Sequence, residues 1–142
     1  MSSQKEYNQT VIAEFRANNG RVKHFAVTHT PLLLLTTVGA KSGQSRVTPL
    51  AYTTDGDRII LIASDKGSPV HPGWYHNVLA HPIVTVETGY ECFQARAVVM
   101  QEPERSRLYT QMANQLAGFA EYQRKTSRKI PVIALQRIDA SH

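Results

Sequence analysis

Residues 32–64 hold the pattern that most limits the fold. Leu32 to Val38 is a short apolar run that ends in β-branched residues, and Gly39 to Ser45 is a polar loop with two glycines. Arg46 to Thr53 reads as the returning strand, and Asp55-Gly56-Asp57 is a tight turn leading into a further strand, Arg58 to Ser64. Short extended runs broken by Gly and Asp mark hairpins. Two consecutive hairpins leave no room for the crossover helices that a parallel sheet requires.

The rest of the chain adds to that frame. A third hairpin is expected from Ile83–Thr88 to Glu91–Val99 across Gly89-Tyr90, and Pro131–Arg137 reads as a last strand. Four helices are expected. Residues 3–18 repeat Tyr7, Val11, Ile12 and Phe15 at helical steps, Pro72 opens a short helix to Ala80, residues 102–116 align Leu108, Met112 and Leu116, and Phe119–Ser127 is a further piece. Strands in hairpins with helices beside them predict an α+β, mainly β chain, an antiparallel barrel or sheet with helices packed outside. No G-x-G-x-x-G follows any strand, which excludes a dinucleotide-binding parallel fold. At 142 residues, with no repeat or linker, the expectation is one domain over residues 1–142.

With 42% hydrophobic and 19% charged residues the chain can bury a core. Its longest purely apolar run, Ile59–Ala63, falls far short of the ~20 residues that cross a bilayer. The first fifteen residues carry Lys5, Glu6 and Glu14 and no apolar stretch, so no secretory signal is expected. The expected location is cytoplasmic, with a peripheral membrane association left open. A single cysteine, Cys92, excludes an internal disulfide and a cysteine-rich zinc site.

Charge is unevenly placed. The net charge is +5, and Phe15 to Thr54 contains no acid while holding Arg16, Arg21, Lys23, Lys41 and Arg46. An anionic ligand and a merely solvated surface both account for this. Nucleic acid is not expected, because no zinc-finger, helix-turn-helix or RNP pattern accompanies the sparse basic residues. A second basic group, Arg124, Lys125, Arg128 and Lys129, reads as solvated surface.

The segment Gly39-Ala40-Lys41-Ser42-Gly43-Gln44-Ser45-Arg46 carries the most chemistry. Two glycines able to take positive φ would turn backbone N–H groups toward one point, with a point charge from Lys41, a planar fork from Arg46 and hydroxyls from Ser42 and Ser45. An ordinary hairpin with surface charges explains the same residues, and it is not a Walker A loop. Trp74 near a helix start serves either an anion site or the core. His71, His76 and His81, spaced by five, turn around a helix rather than sharing a face, so no metal is expected. Cys92 reads as a packed small residue in a strand, and no serine has a nucleophile elbow. Tyr109, Phe119 and Tyr122 either pack their helices down or line a ligand mouth. A chain with an anion-gripping loop and no evident catalytic group fits one that borrows its chemistry from a bound cofactor.

Three ordered blocks carry a resemblance. Leu34 to Gly43 with Arg46 and Pro49-Leu50 is similar to the phosphate loop of the deazaflavin-dependent nitroreductase family. Ala63-Ser64, His71 to Asn77 and Ala80-His81-Pro82 match its second block, and Phe119 to Gln123, Thr126 and Ile130-Pro131-Val132 its third. The resemblance covers about residues 30–137. It implies a split β-barrel similar to flavin-nucleotide-binding barrels, and coenzyme F420, a polyanionic 8-hydroxy-5-deazaflavin. By that pattern Lys41, Ser42, Gly43 and Arg46 hold the phosphate, Thr48 and Pro49 lie against the deazaflavin, and Ala63, Ser64, Gly73 and Trp74 close around it. The family often has a basic or amide residue directly after the Ala-Ser pair. Here Asp65 stands there and Lys66 follows, so Lys66 is the residue expected to substitute.

The implied reaction is hydride transfer from reduced F420, supplied by a separate dehydrogenase, to an electron-poor small molecule such as a quinone, nitroaromatic or conjugated enone. Tyr122 is expected as proton donor, with Tyr52 and Tyr7 behind it, and Tyr122, Phe119 and Tyr52 as the acceptor wall. A non-catalytic deazaflavin or hydrophobic-ligand carrier, or an FMN- or haem-linked split barrel, remains the alternative. Pairing into a homodimer is open.

Overall fold

Four consecutive leucines with no exposed face require a strand covered on both sides. The computed structural model of the chain, which describes residues 4–20, 22, 31–64 and 67–138, provides that cover. Strand β1 (Leu32–Val38) sends Leu33 and Leu35 into one cluster and Leu32 and Leu34 into another. The second cluster lies under helix α1 (Gln4–Ala17), whose Val11 and Phe15 are buried against it.

The same alternation continues around the sheet. Strands β4 (Arg58–Ile62) and β7 (Val132–Arg137) place Leu61, Ile133 and Leu135 with Leu33 and Leu35. Their Ile60, Ile62, Val132 and Ala134 face the opposite way. There they meet Leu108 and Met112 of α3 (Glu104–Gln115) and Phe119 of α4 (Ala117–Arg124). Strands β5 (Ile83–Glu87) and β6 (Cys92–Val99) add Val84, Val86, Ala95 and Ala97 to the inner cluster. Trp74 and Val78 of α2 (Gly73–Ala80) complete it.

Among the described residues seven antiparallel strands follow the order β2-β1-β5-β6-β7-β4-β3. Strands β2 (Ser45–Ala51) and β3 (Thr53–Asp55) are opposite edges of that sheet, yet only Tyr52 separates them. The sheet therefore curls until its edges adjoin, which makes the expected split barrel. The single strand expected over Arg46–Thr53 is thus two strands. The chain leaves β1 at Ala51, and the Tyr52 N–H donates to the Pro31 carbonyl (3.1 Å) as it crosses to β4.

Other expected elements lie within a few residues of their observed bounds. Cys92 is a correction: it occupies an outward-facing strand position and is exposed, not packed. We expect Leu35→Ala, which empties space between β1 and the inner cluster, to cost about 2–5 kcal/mol in chemical denaturation.

Candidate active site

The loop between β1 and β2 is built differently from the expected nest. Of its two glycines only Gly43 has positive φ (71°). Gly39 is required by space instead: a Cβ there would lie 2.5 Å from the Ser42 Oγ, which accepts the Gln44 N–H (3.1 Å). Four loop amides are spent within the protein. Gly39 N–H donates to Gln44 O (2.8 Å), Gly43 N–H to Gly39 O (2.9 Å), Gln44 N–H to Ser42, and Ala40 N–H to Asn77 Oδ1 (2.9 Å). The Asn77 amide also donates to Thr37 Oγ1 (3.0 Å), so one side chain of α2 holds both ends of the β1 exit. What the loop offers a ligand is therefore the side chains of Lys41 and Arg46, the Ser42 hydroxyl, which keeps a proton to donate, and the two remaining amides of Lys41 and Ser42.

Those two cations, like Arg96 and Lys125, differ from the described cations that a carboxylate answers. Arg16, Arg58, Arg107, Arg124, Lys129 and Arg137 each pair with a carboxylate. Among the described residues Lys41 and Arg46 have no such partner. They border a cavity of about 750 Å³ together with the start of α2. Helix α2 has no acid in its first turn and no side-chain cap, so the positive end of its dipole faces the cavity through Gly73 and Trp74.

Part of the lining is aromatic. Phe119 and Tyr122 of α4 meet edge to face, with ring centroids 5.2 Å apart. Their helix is anchored from below by the Tyr109 hydroxyl, which donates to the Phe119 carbonyl, and by Gln123, whose Oε1 accepts from Arg105 Nη2 (2.7 Å) and Ile130 N–H (3.2 Å). Tyr109 is buried packing and does not line the cavity.

Of the residues expected at the site, Tyr7, Lys41, Ser42, Arg46, Thr48, Pro49, Ser64, Gly73, Trp74, Phe119 and Tyr122 line this one cavity. Three do not. Gly43 sits on the open side of its turn, Ala63 is wholly buried in the inner core, and Tyr52 packs beside that core, where burial raises its phenol pKa and weakens it as an acid. Lys66 and Asp65 lie outside the described residues. Sequence reasoning missed Asn8, Ile62, His76 and Asn77 as lining residues. Asn77 stood inside a quoted motif, but nothing in that motif discloses that it reaches a loop 37 residues away.

A split barrel with a cavity lined by cations and by an aromatic pair suits a flat, anionic cofactor or substrate. The chain belongs to the F420H2-dependent quinone reductase family, whose sequence profile matches residues 7–137. An F420H2-dependent quinone reductase of Mycobacterium tuberculosis is 41% identical over 128 residues, covering 88% of this chain and 86% of that protein. A solved F420H2-dependent reductase is 37% identical, with a TM-score of 0.68 over 75% of this chain and 94% of its own. Another solved structure, a domain-swapped dimer, is 32% identical, with a TM-score of 0.71 over 94% of this chain and 100% of its own.

Asn77→Ala should free the Ala40 N–H and the Thr37 hydroxyl together. The expected cost is about 1–3 kcal/mol of stability by thermal melting, with faster amide exchange at Ala40.

Proposed function

We propose that the protein is an F420H2-dependent reductase that transfers a hydride to a quinone, with nitroaromatics or conjugated enones as further electron-poor acceptors. The observation that carries this is one cavity lined both by cations without a carboxylate partner among the described residues and by the aromatic pair of α4, in a member of this family. The residues fit the cofactor. A polyanionic tail needs cations that are not already paired, a flat ring needs apolar walls, and ~300–1,000 Å³ is the usual size of such a site. Lys41, Arg46 and Ser42 would hold the phosphate, with Thr48, Pro49, Ser64, Gly73 and Trp74 against the ring. When bound, F420H2 supplies the hydride.

The chain's own work is positional. Trp74 and Pro49 narrow the ring site, and Phe119 and Tyr122 exclude water and stack the acceptor within near-attack distance, ~3–3.5 Å between reacting atoms. A quinone that gains a hydride also needs a proton, and the Tyr122 hydroxyl is the donor we assign, with solvent reprotonating the phenolate. The reduced cofactor comes from a separate dehydrogenase. Among the described residues no helix is long and apolar enough to cross a membrane; a cytoplasmic setting with peripheral membrane contact is part of the reading we propose. The solved domain-swapped dimer supports pairing of two copies.

Titration of F420 by its intrinsic fluorescence tests the reading. Lys41→Ala and Arg46→Ala should each weaken binding by about 1.5–3 kcal/mol while leaving the melting temperature unchanged, since both side chains are exposed. Wild-type affinity in both would remove the phosphate assignment. Tyr122→Phe should keep F420 affinity and lower quinone turnover by about 10²-fold if the hydroxyl delivers the proton; unchanged turnover assigns that step to solvent. Saturable binding with no turnover of any acceptor would favour the carrier.

A further inference from the structure

We propose that Arg128 is a positioning residue for this reaction: one guanidinium, reached from the α4–β7 connection, sets the Ser64 wall of the cavity relative to the Tyr122 wall. The inference rests on the family reaction above but concerns a residue that lies outside the cavity.

The segment that joins β4 to α2 supplies Ser64 and then leads into Pro72, Gly73 and Trp74. Three carbonyls at and after the end of β4 converge on Arg128. The guanidinium donates from Nε to Ser68 O (2.9 Å), from Nη1 to Ala63 O (3.0 Å) and from Nη2 to Ser64 O (2.6 Å). Nη1 also faces His71 Nδ1 at 2.9 Å. An arginine can only donate, so Nδ1 is the acceptor and His71 is neutral with its proton on Nε2. A planar fork spans these acceptors at once, which a lysine ammonium cannot do.

The same segment is seated on α4. Gly67 has φ +82°, and a Cβ there would lie 2.7 Å from the Tyr122 carbonyl oxygen and 3.1 Å from the Tyr122 Cα. The backbone that carries Ser64 therefore rests on the backbone that carries Tyr122. Arg128 is itself braced: its N–H donates to Thr126 Oγ1 (3.1 Å) and its carbonyl accepts from Gln123 Nε2 (2.8 Å). Gln123 is the residue that ties α4 to Arg105 and Ile130. A displacement of Arg128 would move Ser64 and the start of α2 against Tyr122, which changes the spacing between cofactor and acceptor sides without removing a ligand contact.

The clamp has a pH signature. Among the described residues the groups that face His71 are Arg128 from the α4–β7 connection and Tyr75 and His76 from α2. Burial first, then the charges of Arg128 and His76, lower the His71 pKa below its ordinary value near 6.5. The folded state thus binds fewer protons here than the unfolded chain. Stability from this contact is full above about pH 6.5 and is lost as pH falls through the depressed pKa.

Arg128→Lys and Arg128→Gln test the proposal against wild type. Both should bind F420 with little change, while the single-turnover hydride-transfer rate at saturating quinone falls by about tenfold to a hundredfold. In the cofactor-free protein, Arg128→Gln should raise the His71 titration midpoint, read from its imidazole NMR signals, and Arg128→Lys should leave it depressed. Wild-type transfer rates in Arg128→Lys, with only a lowered melting temperature, would reduce Arg128 to a fold brace and overturn the proposal. If Arg128→Gln does not fold, Arg128→Lys decides alone. Failure of the wild type to bind F420 would sink the cofactor reading instead, and the His71 midpoint would still test the clamp.

Discussion

Everything at the site depends on the closure of the sheet at Tyr52. Because β2 and β3 are separated by one residue but belong to opposite edges, the sheet must curl, and the curl encloses the space that Leu33, Leu35, Val84, Val86 and Trp74 fill. It also brings Thr48 and Pro49 of β2 across from Ser64, which follows β4, and from α4. A flat sheet with the same pairing would leave these residues on remote edges.

Charge is the second organising constraint. A chain of net charge +5 answers most of its described arginines with carboxylates or carbonyls. Leaving Lys41 and Arg46 unanswered beside one cavity forgoes that stabilisation and creates a local field that an anion relieves. Arg105 and Arg128 show the opposite use of the same side-chain type. Their guanidiniums point inward to backbone carbonyls and hold α4 and the β4–α2 segment in place.

Much of the fold was legible in the chain itself, because its hairpins are written locally. The Leu32–Val38 run, the Asp55-Gly56-Asp57 turn and the Gly89-Tyr90 turn each declare a reversal within a few residues. The break at Tyr52 was not legible. A strand that changes partners keeps the same extended backbone and the same alternation, so nothing in Arg46–Thr53 marks it. Cys92 was misjudged for a related reason: its strand has one covered face, and the run from Glu91 does not say which parity faces inward.

At the site, the residue types were informative and the geometry was not. Lys41, Arg46 and the aromatics of α4 could be nominated from chemistry and from the family blocks, since charge and ring shape belong to the side chain. That Gly39 serves space rather than positive φ, that four of the loop amides are already bonded, and that Arg128 gathers carbonyls from a segment some 60 residues earlier are facts of assembly. By itself the sequence determined which strands form, which faces are apolar and where positive charge collects, because these follow from local pattern and side-chain chemistry. Only the tertiary structure decided which edges meet, which cations stay unpaired and which backbone rests on Tyr122, because each depends on contacts between segments that no local pattern encodes.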